Sequence, residues 1–317
     1  MLKVTRGLSD AGPRAHPVAT IGNFDGHHLG HRMLLQTVVE AAGKVQGTAL
    51  VVTFEPHPVK VLAPHVELQY LTSSEEKLAR FEAAGIDEVV LLEFTPAFAA
   101  MTPEQFAGRV LHQHLRLADL FVGEHFAFGK GRAGRIADLI NFGSQYGFRV
   151  HPVRPVTVDG VVVSSTRVRQ LIQAGDMERA AILLGRTYGI RGTVVRGTQQ
   201  GQALGWPTAN LRLPPHRVMP LDGVYAARAV YAAKTYDAVA YIGTRPTFGE
   251  GERLIEVFLL DQSFNLYGQE ITVQFVARVR GDHVFASADE LSKQIACDVE
   301  QTRLSLQRIP EGVQEGS

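Results

Sequence analysis

Ile21-Gly22-Asn23-Phe24-Asp25-Gly26-His27-His28-Leu29-Gly30-His31 is the stretch on which the reading of this chain turns. An apolar run ends at Ile21 and a helical pattern begins at His31, so the segment joins a strand over 16–22 to a helix over 31–44. In an open α/β sheet, ligands bind beyond the carboxyl ends of the strands, which puts a nucleotide at this turn. Gly22, Gly26 and Gly30 let the backbone approach phosphates, with Asn23, Phe24 and Asp25 completing the loop. The helix that starts here adds free N–H groups and the positive end of its dipole. His28 and His31 are three apart, on one face of the first turn, where both can donate to phosphate oxygens. Two readings compete with this one: histidines that merely cap the helix, and a zinc site. No cysteine or regularly spaced carboxylate joins the histidines, and the glycines favour phosphate.

The surrounding pattern agrees. Strands are expected over 48–54, 88–94, 119–123 and 148–153. Between them, Ser73-x-x-Glu76 opens a helix, Thr102-Pro103-Glu104-Gln105 opens another, and a third covers 136–146. Strands alternating with helices predict a parallel sheet covered on both faces, a Rossmann-like α/β domain. After Gly185 the texture changes. Strands over 191–195, 224–231, 236–242, 254–260 and 270–279 follow one another through Gly/Pro turns, which predicts a small antiparallel barrel. The capping box Ser287-x-x-Glu290 then starts a C-terminal helix with Leu291, Ile295 and Val299 on one face. The expected division is 1–185, 186–310 and a loose tail, 311–317.

The 317 residues suit two domains. At 45% apolar and 20% charged the chain is globular, not disordered. Lys+Arg and Asp+Glu are equal at 32, so net charge gives no argument for nucleic acid or an anionic membrane as partner. The single cysteine, Cys297, can form no intramolecular disulfide and reads as a small buried residue of the last helix. No secretory leader or run of about 20 apolar residues is evident, so the expected location is the cytoplasm. Self-association is left open.

Two further segments carry chemistry. Ser164-Ser165-Thr166-Arg167-Val168-Arg169 opens a helix after the apolar run 161–163. Hydroxyls there are ordinary caps, but Arg169 lies one turn from Ser165 and Thr166, so one face offers two hydroxyls and a fork-shaped cation to a phosphate. In the second half, Gly197, Gly201 and Gly205 either turn barrel corners or admit a nucleotide; no Walker ending follows them. Pro207-Thr208-Ala209-Asn210 then sets Thr208 and Asn210 two apart in an extended segment, so both neutral oxygens point the same way, as a hard cation such as Mg²⁺ requires. Glu256 is one carboxylate inside the otherwise apolar run 254–260.

His-x-Gly-His early and Ser-Ser-Thr-x-x-Arg late in an α/β domain resemble the nucleotidyltransferase superfamily. Gly22-Asn23-Phe24-Asp25-Gly26, Thr53-Phe54-Glu55-Pro56-His57-Pro58 and the Gly/Phe loop 121–129 are similar to the FMN adenylyltransferase module of bacterial bifunctional riboflavin kinase/FAD synthetases. Pro207-Thr208-Ala209-Asn210, the segment 241–248 and Leu266-Tyr267-Gly268 resemble their riboflavin kinase module. The resemblance implies riboflavin, FMN, FAD and ATP as substrates or products, with Mg²⁺. It implies Glu256 as kinase base, Thr208 and Asn210 as metal ligands, and Gly197, Gly201 and Gly205 beside the nucleotide. It further implies His28, His31, Ser165, Thr166, Arg169 and His125 around the second ATP. Flavin contacts would come from Pro56, His57 and Pro58 and from Thr244, Arg245 and Phe248. His125 stands where the family has Asn or Asp, and Arg135 where it has Asp. These departures sustain the alternative of a riboflavin kinase with an impaired transferase domain. A non-catalytic flavin-binding regulator and a transferase for another phosphorylated acceptor are the remaining alternatives.

Overall fold

The computed structural model describes residues 1–8, 12–197, 205–244, 253–262 and 265–308. The chain divides into two compact units, Met1–Ser164 and Ser165–Ser317.

The first unit is a parallel sheet of six strands: β1 (Lys3–Arg6), β2 (Pro17–Ile21), β3 (Thr48–Glu55), β4 (Glu88–Glu93), β5 (Asp119–Gly123) and β6 (Arg149–Val153). Their order is β1-β4-β3-β2-β5-β6. From β2 the chain steps to β3 and β4 on one side, then returns to lay β5 and β6 on the other, so the order reverses between β2 and β5. Alternate residues of the inner strands β2, β3, β4 and β5 feed two cores. Val18, Val51 and Val89 pack with Leu35, Val38 and Phe81 from the helices α1 (Leu29–Lys44) and α3 (Ser74–Ala83). Ala19, Val52 and Leu120 pack on the other face with Val110, Leu111 and Leu139. These inner strands are thus buried on both faces, as parallel strands are.

Shorter helices α2 (Pro58–Leu62), α4 (Pro96–Ala99) and α5 (Pro103–Gln105) follow the strand ends. The expected helix start at Thr102-Pro103 is present, with Thr102 and Gln105 forming a capping box, but α5 passes directly into a π-helix over Phe106–His114. The helix α6 (Ile136–Tyr146) closes on Gly147 in the left-handed conformation, φ 84°. The run 161–163 does not join the sheet: β8 (Val161–Val162) pairs only with β7 (Thr157–Val158), in a two-stranded hairpin. The N-terminal strand β1 carried no recognisable alternation, being four residues long and mostly exposed.

The second unit opens with α7 (Ser165–Gln173) and α8 (Met177–Leu184). Six strands then close a barrel: β9 (Tyr188–Val195), β10 (Ala209–Arg212), β11 (Gly223–Tyr231), β12 (Lys234–Thr244), β13 (Arg253–Leu259) and β14 (Glu270–Arg280), in the order β10-β13-β12-β11-β14-β9. Alternation places Tyr188, Ile190 and Val194 inside from β9, and Ile255, Val257 and Leu259 from β13.

The helix α9 (Ala288–Arg308) docks outside the barrel by the expected face, which continues through Asp298, Thr302 and Leu306. Asp298, Thr302 and Leu306 are buried, while Leu291, Ile295 and Val299 are only half-buried. Asp298 can lie inside because Arg280 and Gln294 donate to its carboxylate at 2.9–3.1 Å. Cys297, one step around the helix, is exposed, not buried as its residue type suggests.

Candidate functional site

In the first unit, the loop leaving β2 enters at the reversal of strand order, where an open parallel sheet forms its crevice. The backbone of this loop is strained: Phe24 and His27 have φ of 52° and 44°, values that cost non-glycine residues energy and concentrate at functional sites. Gly26 has a structural reason beyond phosphate access. Its φ is 84°, and an added Cβ would meet Leu71 at 2.6 Å. Asp25 is buried and accepts from the backbone N–H groups of Leu71 and Thr72 and from the Thr72 hydroxyl at 3.0–3.1 Å. Asp25 therefore ties the loop down beside the start of α3.

His28 is the N-cap of α1, and its Nδ1 accepts from the His31 backbone N–H at 3.3 Å. Capping and phosphate binding are thus compatible, because this bond puts the hydrogen of a neutral ring on Nε2. The His28 and His31 rings stack with centroids 3.6 Å apart. Phe24 meets His31 edge-on at 5.1 Å and Phe81 at 5.4 Å. Burial, then the neighbouring His28, His27 and Lys77, hold His31 well below the usual histidine range, so it is neutral near pH 7.

Sequence reasoning passed over Lys77, one turn before Phe81 on α3. Its face is the one Phe81 turns toward Phe24 and His27. Burial pulls its ammonium down, partly offset by Asp25 and Glu55. Asn23 Oδ1 and His31 Nδ1 are among the buried polar atoms of this region with no hydrogen-bond partner among the described residues. Buried polar groups are nearly always satisfied, which makes these two atoms of the strained loop candidates for ligand contacts. No group of three or more His, Cys, Asp or Glu that could hold a metal occurs among the described residues.

Pro56, His57 and Pro58 follow β3, with His57 capping α2 by accepting from Val59 N–H at 3.2 Å. Beside them lies a run of rings whose extent the motifs alone did not reveal. Phe54 meets Phe94 and Phe98 at 5.5 and 5.9 Å, Phe98 meets Phe106 at 6.1 Å, and Phe106 meets Phe128 at 5.6 Å. His125 follows β5 with its side chain 85% exposed, 4.0 Å from Glu124. Arg135 is the N-cap position of α6, its backbone N–H donating to Asp138.

Ser165, Thr166 and Arg169 open α7 and so fall in the second unit. Ser165 and Arg169 are both half-buried, one turn apart on the same side of the helix; Thr166 is exposed.

The barrel brings together residues far apart in sequence. Antiparallel pairing sets Asn210 of β10 opposite Glu256 of β13, and Tyr241 of β12 opposite Glu256 on its other side. Thr208 Oγ1 donates to Glu256 Oε2 at 3.3 Å. The side chain of Asn210 fills the space where a Cβ on Gly197 would stand, so this glycine admits the amide. Glu256 and Phe258 alternate outward between Ile255, Val257 and Leu259, which point into the barrel. The Thr208 hydroxyl and the Asn210 amide oxygen are neutral ligands of a kind Mg²⁺ accepts, since it takes few protein ligands and completes its shell with phosphate and water. Gly205 has φ 81°. Gly201, Arg245 and Phe248 lie outside the described residues, and of Thr244 only the backbone, at the end of β12, is described.

A family model for FAD synthetase matches residues 13–167, and one for riboflavin kinase matches residues 184–306. The bifunctional riboflavin kinase/FMN adenylyltransferase of Escherichia coli (strain K12) is 40% identical over 300 residues, covering 94% of this chain and 96% of that protein. This chain belongs to the bifunctional riboflavin kinase/FMN adenylyltransferase family. The Pseudomonas fluorescens member is 37% identical over 304 residues, 95% of this chain and 97% of its own. A solved structure described as a macrolide-efflux protein from Streptococcus pneumoniae superposes with a TM-score of 0.88 at 31% identity, covering 95% of this chain and 98% of that one. Among the described residues of this family member, no helix is long and apolar enough to cross a membrane. Both modules of the kinase/adenylyltransferase family are therefore represented, one in each half of the chain.

Proposed function

We propose that the chain makes FAD from riboflavin in two ATP-consuming steps, one in each half. In the barrel, Glu256 takes the proton of the ribityl 5′-hydroxyl as that oxygen attacks the γ-phosphorus of ATP, giving FMN and ADP. Thr208 and Asn210 hold Mg²⁺, which when bound offsets charge on the transferring phosphoryl group. In the parallel-sheet half, an FMN phosphate oxygen attacks the α-phosphorus of a second ATP and pyrophosphate leaves. His28 and His31, with Lys77 behind them, bind the departing phosphates. Ser165, Thr166 and Arg169 at the start of α7 are, by the family resemblance, further phosphate ligands. The phenylalanine run and Pro56–Pro58 offer an apolar wall for the flavin rings, and Thr244, Arg245 and Phe248 serve the flavin of the kinase step. No covalent intermediate is needed, so both steps rest on positioning and electrostatics. The reaction uses small-molecule substrates, and its proposed compartment is the cytoplasm.

The observation that carries the kinase reading is the convergence of Thr208, Asn210 and Glu256 across two strands. A regulator that only bound flavin would have no use for a base beside two neutral oxygens. Incubation with riboflavin, ATP and Mg²⁺, followed by chromatographic separation of the flavins, should show FMN rising and then giving way to FAD. Accumulation of FMN alone would instead support a kinase whose transferase half is impaired, the outcome that His125 and Arg135 motivate.

A further inference from the structure

The single tryptophan of the chain, Trp206, stands two residues before Thr208. It is half-buried, and its indole N–H donates to Ser292 Oγ on α9 at 3.2 Å. Its ring meets Phe258 edge-on, 5.3 Å between centroids at 81°. Phe258 is two residues from Glu256 on the same outward face of β13.

The register shows what these contacts do. Ala209, Asn210 and Leu211 pair with Val257, Glu256 and Ile255. Thr208–Glu256 and Trp206–Phe258 are therefore successive diagonal neighbours of the same antiparallel pair. Yet β10 begins only at Ala209, so Thr208 lies before the first paired residue. Pro207, with no N–H, can add no donor to the ladder there. Beyond the strand end, the Trp206 contacts with Phe258 and Ser292 continue the alignment that ladder hydrogen bonds provide farther on. Ser292 belongs to α9, whose Leu306 carbonyl accepts from the buried Arg228 of β11, so the anchor is fixed to the barrel.

We propose that Trp206 is a positioning residue of the kinase site, through which α9 holds Thr208 against Glu256 and in line with Asn210. The proposal rests on the kinase reading given above. It makes the C-terminal helix a part of the phosphoryl-transfer apparatus although the helix supplies none of its reacting groups.

Trp206→Phe keeps the ring contact and removes the donor; Ser292→Ala removes the acceptor. In the full chain, each should raise the Mg²⁺ concentration needed for half-maximal riboflavin phosphorylation, and the KM for Mg–ATP, by about 5-fold, the equivalent of one neutral hydrogen bond. Saturating kcat should change less. The double variant should be no worse than either single one, because both delete the same bond. Ser292→Thr, which keeps the hydroxyl, should restore the wild-type Mg²⁺ dependence. FAD formation from supplied FMN serves as the control and should be unchanged. Lower thermal stability with unaltered Mg²⁺ dependence would overturn the proposal, reducing Trp206 to a packing residue. A wild-type chain that makes no FMN would instead sink the kinase reading itself, and the proposal with it.

Discussion

The two ends of the parallel sheet treat polar groups in opposite ways. At the amino ends, charge is saturated. Asp119, the first residue of β5, accepts a bidentate pair from Arg149 at 2.8 Å and lies 2.9 and 2.7 Å from Nε2 of His16 and His151. Glu88, the first residue of β4, does the same with Arg14, Thr5 and Lys3. Burial alone would raise both carboxyls, but these donors outweigh it and hold each below the usual carboxylate range. At the carboxyl end of β2, by contrast, Asn23 and His31 bury polar atoms that find no partner among the described residues, on a loop with left-handed Phe24 and His27. One end has the hydrogen bonds of its carboxylates completed by the protein, while the other carries the loop proposed to meet the nucleotide. On the proposed function, stability and chemistry are divided along the strand direction, so mutations at the two ends should fail differently.

The largest effect is expected in the barrel, where the same division can be tested on regular strands. Glu256→Gln keeps the shape and removes proton acceptance, so riboflavin phosphorylation should fall by about 10³-fold while FAD formation from FMN continues. Near-normal FMN production by this variant would remove Glu256 from the mechanism.

At the carboxyl end of the sheet, His31→Ala should lower pyrophosphate release from FMN and ATP by about 10²-fold, with little loss of stability. A variant that melts early but retains adenylyl transfer when folded would show that the ring is packing and nothing more.

Asp119→Asn should show the reverse, costing about 2 kcal/mol of unfolding free energy through its charged hydrogen bonds and leaving both activities intact. Its pH signature has a definite sign. A carboxyl whose folded pKa is depressed contributes stability above its unfolded value, near pH 4, and loses it as pH falls through the folded value. Denaturant titrations from about pH 5 downward should therefore show a shallower acid limb for Asp119→Asn than for wild type.

The smallest effect is a proton count. His31 is held neutral near pH 7 because burial, then its neighbours His28, His27 and Lys77, disfavour its charge. Phosphates arriving beside it reverse that field, so nucleotide binding near pH 6 should take up less than about one proton per site. Calorimetric titration in buffers of different ionisation enthalpy measures the uptake. An uptake that persists unchanged in His31→Ala would assign the proton elsewhere.

Much of this was legible in the sequence. Asp119–Gly123 and Ile136–Tyr146 have the expected bounds, and five of the six barrel strands follow from apolar runs between Gly/Pro turns, whereas β10 reads only as an extended segment because four residues carry little pattern. The π-helix over Phe106–His114 was not legible, since its wider winding leaves no mark on an apolar pattern already set by burial. Cys297 misled because residue type predicts average burial, whereas its position on α9 depends on where that helix meets the barrel.

By itself, then, the sequence determined which groups are present and the local frames that carry them: a glycine-rich turn with His28 and His31 before a helix, and Thr208 and Asn210 two apart in an extended segment. These are properties of neighbours along the chain, set by backbone sterics and periodicity. Only the tertiary structure decided that Glu256 lies opposite Asn210 and within reach of Thr208, and that Trp206 is tied to Ser292. Strand register and helix docking arise from burying the whole apolar set of the barrel at once, and no local stretch encodes that condition.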